Sequence, residues 1–160
     1  MLSDPSFFTY ASVLLVALAG LPAGIFLSLH AFEELRSGNR YFPLLSKLLF
    51  VAAAAVPIAV GDYPVAMRAA GYGIILLIAL LIPDSRVLYA LLSLAFSLAS
   101  KTQYFAVVVS LIFLYGLPAG AIIAAEKKRL FLQKDLGRIL AQETVQHSGL
   151  LLALVLYFVL

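Results

Sequence analysis

Two groups of side chains have the types and spacing for proton or metal chemistry. His30, Glu33 and Glu34 fall within one helical turn, and Glu143 and His147 stand four apart. On a helix, positions three and four apart share a face, so each group would present imidazole and carboxylate together. Carboxylates with histidines suit iron, zinc or manganese, or a shared proton. Axial ligation of a haem by His30 and His147 is a further geometric option. The plainer role is to end helices and face lipid headgroups. The spacing is not that of the Glu-x-x-His pairs of helical di-iron proteins. Metal, proton and no ligand all stay open, and the sequence assigns no cofactor.

Arg68 is the basic residue that falls inside an apolar run. A charge within a membrane is costly and marks a functional position by default. Arg68 lies near one end of its run, however, where it can snorkel outward or pair with Asp62. Lys127, Lys128, Arg129, Lys134 and Arg138 form a basic segment. Such a segment can set orientation, contact anionic lipid headgroups or dock a partner.

Several chemistries are excluded. The chain has no cysteine, so disulfides, thiolate catalysis, iron–sulfur clusters and cysteine-based zinc sites are ruled out. It has no phosphate-cradling glycine loop, no His-Glu-x-x-His motif and no Gly-x-Ser-x-Gly elbow. Asp4, Asp62, Asp84 and Asp135 sit at loop positions or their edges, not paired along a helix as in magnesium-dependent lipid transferases, which leaves an enzyme acting on lipid unsupported, not excluded. The net charge of +3 comes from short polar connections, which membrane orientation explains without nucleic acid.

The elements that must position these residues are apolar helices. Hydrophobic residues make up 64% of the 160 residues and charged ones 12%. A soluble domain of this size cannot bury so much apolar surface. The expected fold is all-α, a polytopic membrane bundle of about six transmembrane helices forming a single domain over residues 1–160. A span needs roughly 20 apolar residues. Apolar runs cover about residues 7–29, 41–61, 65–83, 87–100 and 102–125. Residues 126–143 read as an amphipathic interfacial helix, with Leu130, Phe131, Leu136, Ile139 and Leu140 on its apolar face. The last run, 148–160, spans only if its helix begins near Leu140. That would bring Gln142, Glu143, Gln146 and His147 to the membrane boundary.

Six spans put nine of the eleven basic residues on one side, leaving Arg68 and Lys101 on the other. Positive charge stays cytoplasmic, so both termini are expected outside. The start, MLSDPSFF, has no basic residue ahead of its apolar run, which argues against a cleaved signal peptide. A prokaryotic plasma membrane is the expected location.

The chain also repeats itself. Gly20-Leu21-Pro22-Ala23-Gly24 recurs as Gly116-Leu117-Pro118-Ala119-Gly120, an offset of 96 (116 − 20). At that offset Val13 matches Val109, Leu15 matches Leu111, Leu18 matches Leu114, and Glu126 takes the place of His30. The first and fifth spans point the same way, so the repeat is parallel, with halves at about 7–61 and 102–160. Glycines four apart let another backbone approach, as in GxxxG packing. Pro22 and Pro118 lack an amide donor and crowd the carbonyls of Leu18 and Leu114, so each helix is expected to kink. These six positions serve as packing motifs or as hinges lining a site.

Three functional readings follow. The first is a solute or ion transporter built on the parallel repeat. The second is a non-catalytic subunit of a larger respiratory or transport complex, with partner chains or further copies of itself. The third is a membrane enzyme using His30, Glu33, Glu143 and His147 at the cytoplasmic boundary.

Overall fold

A computed structural model of the chain describes residues 7–30, 40–133 and 136–157. Those residues are helical apart from short connections, and no strand occurs among them. The helices are α1 (Phe7–Leu18), α2 (Gly20–His30), α3 (Phe42–Val60), α4 (Val65–Leu81), α5 (Ser85–Ala99), α6 (Phe105–Gln133) and α7 (Leu136–Gln146). A 3₁₀ turn (Ser148–Leu151) leads into α8 (Leu152–Tyr157). Three stretches are long and apolar enough to cross a membrane: Phe7–His30, Phe42–Val60 and Phe105–Glu126. Helices α4 and α5 are apolar but shorter.

Local chemistry explains the boundaries. Pro43 starts α3, where its missing N–H costs nothing. Gly61-Asp62-Tyr63-Pro64 separates α3 from α4. Asp84 caps α5, its carboxylate accepting the Arg86 N–H at 2.9 Å. The α4–α5 connection is therefore a single tight corner.

Three elements depart from the expected spans. The first span is broken at Ala19 into α1 and α2. The Ala19 N–H is shared between the carbonyls of Leu15 (3.0 Å) and Val16 (3.2 Å). The fifth span does not stop at Ala125. The same helix runs on to Gln133, so the start of the basic segment is its last two turns, not a separate interfacial helix. The C-terminal run does not form one helix from Leu140 onward, because α7 ends at Gln146 and a 3₁₀ turn follows. A side chain at Gly149 in that turn would lie 2.9 Å from the Ala90 Cβ, so the turn presses directly on α5.

The core lies around α6, which packs against α1, α2, α3 and α5. Tyr10, Phe96, Ile112 and Tyr115 are fully buried there. The Tyr10 hydroxyl donates to the Ala153 carbonyl at 3.0 Å and lies 3.0 Å from Ser97 Oγ, joining α1, α5 and α8. Its ring meets Phe96 edge-on at 5.0 Å. The outward faces carry Phe8, Val65, Leu80 and Leu81, all well exposed. An apolar exterior of this kind belongs against lipid or another chain.

Candidate functional site

The two Gly-Leu-Pro-Ala-Gly copies meet face to face. A Cβ at Gly116 would stand 2.5 Å from the Gly20 carbonyl carbon and the Leu21 nitrogen. One at Gly24 would stand 2.7 Å from the Leu117 Cα, and one at Gly120 would stand 2.7 Å from the Ile25 nitrogen. A Cβ at Gly20 would strike the Phe113 carbonyl. The obstacles are backbone atoms, which cannot swing aside as side chains can. All four glycines therefore set how closely α2 and α6 approach. The contacts advance together along both helices, so the pair is parallel. They are also reciprocal: Gly24 meets Leu117 while Gly120 meets Leu21.

The prolines act differently in the two copies. Pro22 follows the break at Ala19, and the helix before it ends at Leu18, whose carbonyl its ring would crowd. Pro118 lies inside α6, which continues through it. Pro118 lines an apolar cleft of about 190 Å³ with Leu27 and Leu45.

At the end of the bundle beyond this crossing is a cavity of about 510 Å³. Helix α3 supplies Lys47, the cap of α5 supplies Asp84, and the first turn of α5 supplies Ser85 and Arg86. Helix α6 supplies Tyr115 and Glu126, and α7 supplies Glu143 with His147 just after it. Leu88, Ile122 and Ile123 form apolar wall.

His147 organises the cavity floor and is only 2% exposed. Its Nδ1 lies 2.9 Å from the Glu143 carbonyl oxygen. A carbonyl can only accept, so Nδ1 carries the proton and donates. Nε2 is then left to accept the Ser85 hydroxyl at 3.0 Å. This bond ties α7 to the first turn of α5. Tyr89 meets the imidazole edge-on at 5.8 Å. The Tyr115 hydroxyl donates to the Ser85 carbonyl at 3.4 Å. Burial pushes the His147 imidazole below its ordinary pKa, against the raising effects of the Glu143 carbonyl and carboxylate. It is therefore neutral near pH 7.

Three of the charged groups around it stand apart from one another. Among the described residues, Lys47, Arg86 and Glu126 make no ion pair and no side-chain hydrogen bond, although they line the same cavity. Glu143 is 2% exposed.

Of the six polar positions singled out in the sequence, the structure brings together Glu143 and His147, and Glu34 lies outside the described residues. His30 is not part of that cavity. Its Nδ1 lies 3.0 Å from the Phe26 carbonyl and its ring packs on Phe26 at 4.1 Å. Glu33 lies outside the described residues. Arg68 lines none of this cavity and donates to the Gly61 carbonyl at 3.1 Å, so it holds the α3–α4 turn. Its Nε is buried without a partner, and it makes no ion pair with Asp62. Among the described residues no three His, Asp or Glu side chains converge as metal ligands do.

Sequence reasoning passed over Ser85, Lys47 and Arg86 as cavity residues. Pro83-Asp84-Ser85-Arg86 reads as a turn, and nothing in its spacing points to a histidine 62 positions later. Glu126, at the repeat position of His30, was the one usable signal.

No protein-family model, no curated protein and no solved structure matches this chain.

Proposed function

We propose that the chain is a small solute transporter whose binding site is the mixed-charge cavity. The observation that carries this reading is the charge lining of that cavity, with Lys47, Arg86 and Glu126 unpaired beneath three apolar spanning helices. Arg86 and Glu126 are exposed and Lys47 is half-buried, so these charges are open to a ligand that enters the cavity. The glycine crossing supplies the second part of a carrier. Two parallel, proline-bearing segments from equivalent halves meet there, and such segments mark transporter sites. In this reading the repeat halves are 7–61 and 102–160. The chain lies in a prokaryotic plasma membrane with both termini outside and the cavity open to the cytoplasm. The sixth crossing would be made by the 3₁₀ turn and α8, whose Ala153 carbonyl meets Tyr10 of α1, and not by one helix from Leu140. Lys127, Lys128 and Arg129, on the same side, would meet anionic headgroups.

Reconstitution into proteoliposomes tests this. The wild type should accumulate or exchange a small polar solute. Pro22→Ala, which restores the missing amide donor, should insert normally and lose most of that flux. Equal flux in both proteins would remove the hinge from the proposal, and no flux for any solute would remove transport itself.

A second reading has one observation in its favour. Helix α4 buries little besides Ile75 and Ala79 and packs chiefly on α3. A membrane subunit would use such a face for a neighbouring chain. Stable partners in gently solubilised membranes would favour this reading over the first.

A further inference from the structure

We infer that the ligand of this cavity is a small zwitterion, one ammonium and one acid group on a short carbon frame. This rests on the transport reading above and specifies its cargo.

The lining carries both signs. Lys47 and Arg86 are positive, while Asp84 and Glu126 are negative. They come from α3, the start of α5 and α6, so no single turn of helix produces the mixture. Lys47, Arg86 and Glu126 do not cancel one another, since none of the three forms an ion pair among the described residues. An anion alone would be drawn to Lys47 and Arg86 but would meet the carboxylates. A cation alone would leave the two basic groups unanswered. A ligand bearing both signs compensates both, and like-charge contact penalises the others. The Ser85 hydroxyl and His147 imidazole, fixed on each other, add neutral polar surface without net charge. Leu88, Ile122 and Ile123 offer apolar surface for the carbon frame. A volume of about 510 Å³ suits a ligand of modest size. Two sources share this chemistry: a free solute, or the headgroup of a zwitterionic lipid entering from the bilayer.

The test uses the full chain in phosphatidylglycerol nanodiscs, whose headgroup has no ammonium. Glycine betaine and phosphocholine are the zwitterionic probes. Choline, acetate and inorganic phosphate are the single-charge controls, all at equal ionic strength. At a hundredfold excess over its dissociation constant, a zwitterion should raise the melting midpoint by roughly 5–10 °C, and the controls should not. Lys47→Gln, Arg86→Gln and Glu126→Gln should each weaken zwitterion binding by about tenfold or more, as losing one charge partner does. An equal shift with choline makes this a cation site, and one with acetate or phosphate makes it an anion site. Either result overturns the inference, as does no shift with both zwitterions. Phosphatidylethanolamine nanodiscs separate the sources. Loss of the soluble probe's shift there assigns the site to a lipid headgroup, and its persistence assigns it to a free solute. Zwitterion binding without flux would sink transport and leave the site standing. Flux of a singly charged solute without zwitterion binding would do the reverse.

Discussion

The two copies of Gly-Leu-Pro-Ala-Gly have identical residues and differ in local helix geometry. In the first, regular α-helix is interrupted at the single residue Ala19, with α-type bonds on either side. In the second, α6 runs through Pro118 without interruption. Proline removes the same hydrogen bond in each, so the difference lies in the surroundings. Helix α6 is held on several sides by α1, α2, α3 and α5. Before the first copy, Leu15 and Val16 face outward at 63% and 58% exposure, so fewer neighbours constrain the chain there. A pentapeptide can thus encode the capacity to bend while packing decides whether it bends.

That comparison can be broken most forcefully at the glycines. Gly24→Leu and Gly120→Leu should each cost about 3 kcal/mol or more, since the new side chain meets backbone. Loss of a sharp melting transition in detergent would register this. Unchanged stability in both would mean the helices do not cross as described.

The prolines sharpen it. Pro118→Ala restores a hydrogen bond to an already continuous helix and should change stability by about 1 kcal/mol or less. Pro22→Ala should restore the bond to the Leu18 carbonyl and regularise the helix at Ala19, slowing amide exchange there. If the two substitutions had the same effect, the asymmetry between the copies would be lost.

Tyr10 tests what holds the first copy in place. Tyr10→Phe removes the bond to Ala153 across α1 and α8 and should cost about 1 kcal/mol. Hydrogen exchange should quicken around Ala19 before it quickens in α6.

The smallest effect concerns pH. His147 lies beyond α7, outside the three long spans, and its folded pKa is depressed. Below the ordinary value near 6.5 the unfolded chain takes up a proton that the folded chain resists. Stability should therefore fall as pH drops from about 6.5, and level off below the depressed value. His147→Gln should flatten that slope. A slope that survives the substitution would assign it to another group.

Much of this was legible in the residues. Composition required apolar helices, three of them long enough to cross a membrane, and Pro and Gly marked the corners at Gly61–Pro64 and Pro83–Arg86. Helical spacing put Glu143 and His147 on one face, and both line the cavity, although the imidazole bonds the Glu143 carbonyl and not its carboxylate. What could not be read was the bond from His147 to Ser85, because spacing along one helix says nothing about a contact between two. His30 misled for the same reason. It has the right chemistry, but packing turned it toward Phe26. The basic segment misled because charge signals an interface without saying whether the preceding helix stops there. Good helix formers such as Ala124, Ala125, Glu126 and Lys127 let α6 continue.

That continuation makes α6 a mast. Its 29 residues reach roughly 44 Å at 1.5 Å each, well beyond a hydrocarbon layer of about 30 Å. It crosses α2 at Gly116 and Gly120 and runs on to the stub from Glu126 to Gln133. Glu126, at the base of that stub, is also part of the cavity wall. In the transport reading, a tilt of α6 at the crossing would shift wall and stub together, so a partner holding the stub would also bear on the site.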